Sequence, residues 1–320
     1  MRVLVTGGCG YIGSHMVRVL LLLGHEVTVV DDLSAGHEDT LPKGVRFAKL
    51  DIRDEGVCEL MKERRVEAVL HFASRIQVGE SVRDPRLYYR DNLAAGLTFL
   101  DHVLDAGVGR FVLSSTAAVF GNPIETPIGE DHPTIPINPY GDTKLALERA
   151  LIAYGHAYPL KFAALRYFNA AGAWPEEGLG ERHDPETHLI PLVVQTALGQ
   201  RQSITVFGSD YPTPDGTCIR DYVHVRDLAD AHNAALVHLE THESGFFNLG
   251  TGTGASVREV VAAVERVSGK PVNVVWGERR PGDPPVLVAK ADRAKVTLGW
   301  QPRRTLDEIV ESAWRWHSRR

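Results

Sequence analysis

A doubly wound, mostly parallel α/β sheet with a smaller C-terminal α/β domain is the fold this sequence predicts. Three observations predict it. Short runs of β-branched residues alternate with helical stretches through the first half of the chain, those runs are apolar on nearly every residue, and the texture turns to Gly, Pro and charge between Ala173 and Pro185. Strands that are apolar on both faces need a layer of helices on each side, which is the condition of a parallel sheet. In order, Val3-Leu4-Val5, a helix over 14–23 and Val27-Thr28-Val29-Val30 form a βαβ unit. Val45-Arg46-Phe47, a helix over 56–63, Ala68-Val69-Leu70-His71, a long helix over 88–106 and Phe111-Val112-Leu113 continue the alternation. A sixth strand covers 162–166. Beyond it come helices over 189–198, 225–239, 256–267 and 306–316, with short strands at Ile204-Thr205-Val206-Phe207 and Val272-Asn273-Val274-Val275. The expected division is 1–168 and 169–320, with the chain crossing back between the two.

Composition narrows the function. The 320 residues are 43% hydrophobic and 24% charged, which suits a globular protein with a sizeable core. A formal charge of −6 without a basic block removes the footprint of a nucleic-acid or anionic-membrane binder and favours a small-molecule partner. Cys9, Cys58 and Cys218 are odd in number and widely spaced, so neither a disulfide framework nor a thiolate zinc site is expected. No apolar run reaches bilayer length and no signal peptide is evident, so the expected location is cytoplasmic. The fourteen histidines show no paired ligand spacing, and no metal is expected.

Thr6-Gly7-Gly8-Cys9-Gly10-Tyr11-Ile12-Gly13 follows the first strand and opens a helix. Glycines at Gly7, Gly10 and Gly13 permit a tight turn and let backbone N–H groups, those of Tyr11 and Ile12 among them, approach a pyrophosphate at the helix N-terminus. The second strand ends in Asp31-Asp32, ahead of Leu33 and about twenty residues past the loop, where a carboxylate accepts from ribose hydroxyls and repels a 2′-phosphate. The pattern predicts a Rossmann-type domain holding NAD rather than NADP. Asp51-Ile52 and Phe72-Ala73 end the third and fourth strands, either as plain termini or as the floor for adenine and its ribose.

Asn138-Pro139-Tyr140-Gly141-Asp142-Thr143-Lys144 starts an amphipathic helix, so Tyr140 and Lys144 project from one face. A phenol with its ordinary pKa of about 10 is a poor base at neutral pH. The Lys144 ammonium, together with a positive nicotinamide, favours the phenolate and suits Tyr140 to proton transfer at an alcohol carbon. Ser114-Ser115-Thr116, one strand earlier, offers a hydroxyl to share that proton.

With these motifs the sequence resembles the extended short-chain dehydrogenase/reductase family, and within it the branch that acts at C4 of UDP-hexoses. The resemblance covers essentially the whole chain. Its segments are 7–15, His71-Phe72-Ala73, Gly79-Glu80-Ser81-Val82, Pro139-Tyr140-Gly141, Leu165-Arg166-Tyr167-Phe168-Asn169, Arg220-Asp221-Tyr222-Val223-His224-Val225, Asn248-Leu249-Gly250 and Arg280-Pro281-Gly282-Asp283. The resemblance implies a homodimer with permanently held NAD, Tyr140 as base, Lys144 tuning it and binding the nicotinamide ribose, and Thr116 as the second hydroxyl. It places Ser114 and Phe168 by the nicotinamide and Asn169 on the substrate's diphosphate. Arg220 and Arg280 would grip that diphosphate, with Asp283 near the uridine ribose and Thr205 to Phe207 along the uracil. Guanidinium forks match phosphate oxygens bidentately, which agrees with that assignment. The implied reaction is epimerisation at C4 through a 4-keto sugar, with hydride passing to NAD and back.

Several positions depart from the family pattern. Ile76, beside Arg75, stands where relatives often carry a lysine, and either Asp91 or Asn92 takes the place of a cofactor-facing asparagine. His188-Leu189 replaces Asn-Leu, so a backbone contact to substrate is expected there. Leu287 replaces a tyrosine that narrows the sugar pocket in some members, which leaves room for an N-acetyl group and for UDP-GlcNAc/UDP-GalNAc. A nucleotide-sugar 4,6-dehydratase would carry Asp-Glu after the threonine, whereas Thr116 is followed by Ala117-Ala118. An inactive NAD sensor of the same fold and a dehydrogenase releasing NADH are rival functions. Asn248 to Gly254 and Thr305 to Glu308 read as turns and helix caps, not as phosphate sites.

Overall fold

The continuous apolar runs gather into one sheet. The computed structural model describes residues 1–280 and 283–319, so Pro281 and Gly282 of the Arg280-to-Asp283 segment lie outside the described residues. The first half of the chain supplies β1 (Arg2–Thr6), β2 (Glu26–Asp31), β3 (Arg46–Lys49), β4 (Ala68–His71), β5 (Arg110–Thr116) and β6 (Lys161–Tyr167). The second half adds β7 (Asn169–Ala171), β8 (Ile204–Phe207), β9 (Ile219–Arg220), β10 (Tyr222–His224), β11 (Gly245–Leu249), β12 (Ala255–Ser256), β13 (Val274–Gly277) and β14 (Val286–Leu287). The seven-stranded sheet runs β11-β6-β5-β4-β1-β2-β3, and every pairing in it is parallel. Strand order reverses between β1 and β4, and a crevice opens there beyond the C-terminal strand ends.

The helices are α1 (Tyr11–Leu22), α2 (Glu55–Arg64), α3 (Val78–Arg83), α4 (Pro85–Tyr88), α5 (Ala95–Asp105), α6 (Pro139–Ala157), α7 (Leu189–Ala197), α8 (Val225–Thr241), α9 (Val257–Ser268), α10 (Asp292–Leu298) and α11 (Leu306–His317). One face of the sheet buries Met16, Leu20, Leu228, Ala231 and Leu236 from α1 and α8. The other buries Val57, Met61, Phe99, Val103, Leu147 and Leu151 from α2, α5 and α6. A third core joins α7, α9 and α11 through Ile190, Val194, Val260, Val264, Ile309 and Val310. The second half is therefore not one separate body, because α8 and β11 return to the large sheet while α7, α9 and α11 pack apart from it.

Two predicted elements are displaced. The long helix over 88–106 is broken by a π-helical turn at Tyr89–Ala94, where buried Asn92 accepts from the Arg75 amide at 2.8 Å and donates to its carbonyl at 3.0 Å. Wide turns of this kind are rare and occur mostly as single-turn bulges inside α-helices. The strand predicted over 272–275 lies at Val274–Gly277, because pairing with β8 fixes its register at Val274 opposite Ile204. Capping boxes open α9 and α11, Ser256 with Glu259 just after the turn over 248–254 and Thr305 with Glu308.

Helix α6 is tied to the sheet by a buried ion pair. Glu148 Oε1 accepts from Arg166 Nε at 2.9 Å and from the Ser115 hydroxyl at 2.6 Å, and its Oε2 accepts from Arg166 Nη2 at 2.6 Å. Their side chains are 1% and 6% exposed, and the guanidinium lies over the rings of Phe246 and Phe120. Removing one partner strands the other charge in the interior, so Arg166→Met should cost about 3–5 kcal/mol. Urea unfolding should show that loss, and Glu148→Leu added to Arg166→Met should restore most of it; a double variant no more stable than the single one would contradict this account.

Candidate active site

The glycine loop passes from β1 into α1 through backbone packing alone. Gly7 has φ +67°, and a Cβ there would fall 2.6 Å from the Ala73 amide nitrogen; a Cβ on Gly13 would fall 2.1 Å from the Gly7 carbonyl oxygen. Gly10 is the N-cap of α1 and brings no side chain to the helix end, so the first-turn N–H groups of Tyr11, Ile12 and Gly13 face outward without an intrahelical acceptor. Phe72-Ala73, at the end of β4, forms the opposite wall. This bare groove at a helix N-terminus fits a pyrophosphate. A concavity of about 840 Å³ lined by Arg2, Glu67, Arg110 and Lys161 lies at the other end of the strands, away from this groove.

The acidic residues around the groove have partners that the sequence did not reveal. Asp31 is buried and accepts from the amides of Cys9 and Leu33, each at 2.9 Å. Burial pushes its carboxyl up while those bonds pull it down. Asp31 thus braces the glycine loop itself, and exposed Asp32 accepts from the Ser34 amide at 2.8 Å. Asp51 forms a bidentate pair with Arg53, beside buried Ile52. The choice between Asp91 and Asn92 resolves into two tasks. Asp91 pairs with Arg75 at 2.7 Å, on the side where the family lysine is missing, while Asn92 is buried against the Arg75 backbone and Thr143. Ile76 is exposed.

Tyr140 and Lys144 sit in the first turns of α6, which Asn138 caps by accepting from the Gly141 amide at 2.9 Å. Gly141 matters because a Cβ there would come within 2.4 Å of the Ala118 carbonyl oxygen. The missing side chain lets the helix start close on the turn after Thr116. Burial raises the Tyr140 phenol, and the Thr116 hydroxyl against it works the other way. Lys144 is 1% exposed and donates from Nζ to the Ser114 carbonyl at 2.9 Å. Burial lowers its ammonium to about 8, against the attraction of Glu148. No Lys144–Tyr140 hydrogen bond occurs among the described residues, so the lysine stands beside the phenol on the same helix face rather than bonded to it. Tyr167, a residue the sequence did not single out, is bonded to the Ser114 hydroxyl and close enough to Tyr140 to feel its charge.

The second half presents a different surface. Thr205 and Phe207 alternate with buried Ile204 and Val206 on β8, so both face outward, and the Arg280 guanidinium lies 4.0 Å from the Phe207 ring centroid. Arg220 pairs with Asp283 at 3.3 Å and donates to the Ile219 and Pro284 carbonyls at 2.9 Å. The two arginines therefore stand at one surface, but Arg220 is already engaged by protein oxygens. Leu287 lies opposite Arg220 in β14, and Leu287, Phe168 and Ala117 each pack against one small buried cluster of Val119, Phe120, Ile128 and Leu145, just past the Thr116 turn. Asn169 starts β7, its amide bonded to the Asp221 carbonyl at 3.0 Å. The buried Asp221 carboxylate, also not singled out, accepts from the Thr251, Gly252 and Ala289 amides and shapes the turn at 248–254.

His188 caps α7 ahead of Leu189 and turns its ring toward Glu181 and Glu186. Burial alone would push Glu181 up, yet hydrogen bonds to His183 and His188 hold it at about 2; those to Glu181 and Glu186 overcome burial at His188 and lift it to about 10. Sequence spacing did not bring these four residues together.

Residues 3–250 match the NAD dependent epimerase/dehydratase family. The chain is 51% identical to the UDP-glucose 4-epimerase of Rhizobium meliloti (strain 1021), over 100% of this chain and 98% of that protein. Its fold superposes with a TM-score of 0.95 on the UDP-glucose 4-epimerase from Brucella ovis in complex with NAD, at 45% identity and covering 98% of this chain and 97% of that one. The Bifidobacterium longum UDP-glucose 4-epimerase in complex with NAD+ and UDP gives a TM-score of 0.94 at 39% identity, covering 100% and 98%. A bare glycine groove at the strand-order switch, a tyrosine and threonine brought together by Gly141, and a match that runs through both halves of the sheet have one explanation: this chain belongs to the NAD dependent epimerase/dehydratase family.

Proposed function

We propose that this chain interconverts UDP-hexoses at C4, UDP-glucose with UDP-galactose, through a 4-keto sugar and with no net redox change. The observation that carries the reading is the closure of Tyr140 on Thr116 over Ala117-Ala118, a turn that holds a proton-transfer pair and no carboxylate to expel water. That distinguishes it from a 4,6-dehydratase. Gly7 to Gly13, Asp31, Asp32 and Leu33 are the groups that would hold NAD, with Phe72, Ala73 and Ser114 along its path. The chemistry bound NAD supplies is reversible hydride transfer at the sugar's C4.

Tyr140 Oη takes the proton of the sugar 4-hydroxyl and later returns it, while Thr116 Oγ1 holds the same oxygen in line. Lys144 anchors the site through Ser114 and adds positive charge on the Tyr140 side of the helix. A buried phenol is pushed away from ionisation, so the base works only once positive charge reaches it. Arg280, Phe207, Thr205, Asp283 and Arg220 bind the nucleotide diphosphate, with Arg220 exchanging its Asp283 contact for phosphate oxygen. Binding energy concentrated on that part leaves the ketone free to turn and present its other face. Assembly as a homodimer and a cytoplasmic location are supported by the family resemblance, and no helix among the described residues is long and apolar enough to cross a membrane.

Tyr140→Phe should lower kcat by ~10²–10⁴-fold, the usual worth of a placed acid–base group, with bound NAD retained. UDP-galactose conversion read without added cofactor checks this, and accumulation of NADH would favour a dehydrogenase instead. Lys144→Met should abolish most activity yet stabilise the fold. The unfolded chain keeps the Lys144 proton up to pH 10.5 while the folded chain releases it at about 8, so folding is opposed below pH 8 and the penalty fades toward 10.5. That penalty is on the order of 3 kcal/mol, and the variant's advantage in urea at pH 7 should shrink at pH 10. Leu287→Tyr should depress kcat/KM on UDP-GlcNAc at least ~10-fold more than on UDP-glucose, the scale of a steric overlap of about 1–3 kcal/mol. Equal losses on both sugars would remove Leu287 from the sugar pocket.

A further inference from the structure

Glu181, His183, Glu186 and His188 lie on the segment leading into α7, and one ligand-type atom from each falls within 4.8 Å of all the others. Glu181 Oε1 is 2.9 Å from His183 Nδ1 and 2.7 Å from His188 Nδ1. Glu186 Oε1 is 3.0 Å from His188 Nδ1, and its Oε2 is 3.9 Å from His183 Nδ1. Both imidazoles thus turn the same nitrogen inward to the same place. Each Nδ1 carries at most one proton, so His188 shares its one between oxygens of both carboxylates.

The charges make the same point. The two carboxylate side chains are only 4% and 7% exposed, and among the described residues neither pairs with an arginine or lysine. A four-coordinate divalent ion lies ~2.0–2.2 Å from nitrogen and oxygen ligands, which sets tetrahedral donors roughly 3.3 Å apart. The four distances straddle that value. Once His183 and His188 give up their Nδ1 protons to solvent on binding an ion, the two carboxylates balance its double positive charge.

The donors are held from behind, as metal ligands are. Glu186 Oε1 accepts from the Thr187 amide at 2.7 Å and the His188 amide at 2.9 Å. Trp316 Nε1 donates to the Glu181 carbonyl at 3.1 Å, and the Tyr11 ring stands edge-on to His183. Arg182, between two of the donors, pairs with Asp39 at 2.7 Å. The segment therefore touches the glycine loop, the chain after β2 and the last helix at once.

We propose that Glu181, His183, Glu186 and His188 form a binding site for one divalent ion of the zinc class, which clamps this segment between the glycine loop and α11. Nitrogen and oxygen donors in a four-coordinate set select zinc-like ions over calcium or magnesium, which take six or more oxygens. With all four positions filled by protein, the ion is structural. Spacing alone predicts no metal because it pairs no histidines; the turn at Asp184-Pro185 brings them together.

The test uses the full chain without a polyhistidine tag, stripped with a chelator and returned to metal-free buffer. Zinc chloride titrated by calorimetry should saturate at one ion per chain and raise the thermal midpoint. Cobalt chloride should give the visible absorption of a tetrahedral site. His183→Gln and the near-isosteric Glu181→Gln, each verified as folded by circular dichroism, should each weaken zinc binding by more than ~10-fold. Absence of saturable zinc uptake by the stripped chain would overturn the proposal, as would a folded His183→Gln chain that binds zinc as tightly as the unaltered one.

Discussion

Glu148 accepts two hydrogen bonds from Arg166 and one from Ser115, and those three bonds fix the helix bearing Tyr140 and Lys144 to the strands bearing Thr116 and Tyr167. The placement of Tyr140 beside Thr116 depends on this contact. One turn before Glu148, Lys144 is drawn into the interior, where its nearest acceptor is the Ser114 carbonyl. One turn earlier still, Gly141 lets the helix end meet the Ala118 carbonyl and so sets the phenol against Thr116. A buried ion pair is a weak source of stability, but it tolerates only one relative position of its partners. Here that restriction holds the start of α6 against the end of β5.

The two surfaces that meet at this point differ in kind. On the glycine-loop side the groove is backbone, with amides at a helix end and the Asp31 carboxylate already bonded to the Cys9 amide of the loop. On the other side the surface is made of side chains, with Arg280 over Phe207 and Arg220 engaged by Asp283. Between them, Leu287, Phe168 and Ala117 rest on the same buried cluster of Val119, Phe120, Ile128 and Leu145. The surface is thus polar and charged toward Arg220 and Arg280 and apolar toward the Thr116 turn.

Local pattern made the strands, the glycine loop, the helix caps and the Tyr140/Lys144 face legible in the sequence, because each depends on neighbours within a turn or two. Contacts made across the fold were not. Asp31 stands where the second strand predicts a carboxylate, but its bond to Cys9 depends on how the loop folds back. The break in the long helix at Tyr89–Ala94 answers to Arg75, which no periodicity within the helix encodes. Asp91 and Asn92 were indistinguishable by spacing and became distinct once one faced Arg75 and the other the interior. Glu181, His183, Glu186 and His188 escaped the sequence reading for a similar reason: irregular chain, not helical repeat, brings them together.

The return of β11 to the edge of β6 has a consequence for how this chain can be divided. Five residues from the second half complete the sheet begun by the first, paired with β6 from Gly245 opposite Ala163 to Leu249 opposite Tyr167. Cutting the chain after Phe168 would expose β6 as an open edge, its amides and carbonyls ready to pair with another molecule. It would also strip α8 from the face it covers. The two halves are therefore not interchangeable cassettes: an exchange of sugar-binding regions between relatives must leave α8 and β11 with the parent sheet and take its junctions on either side of them.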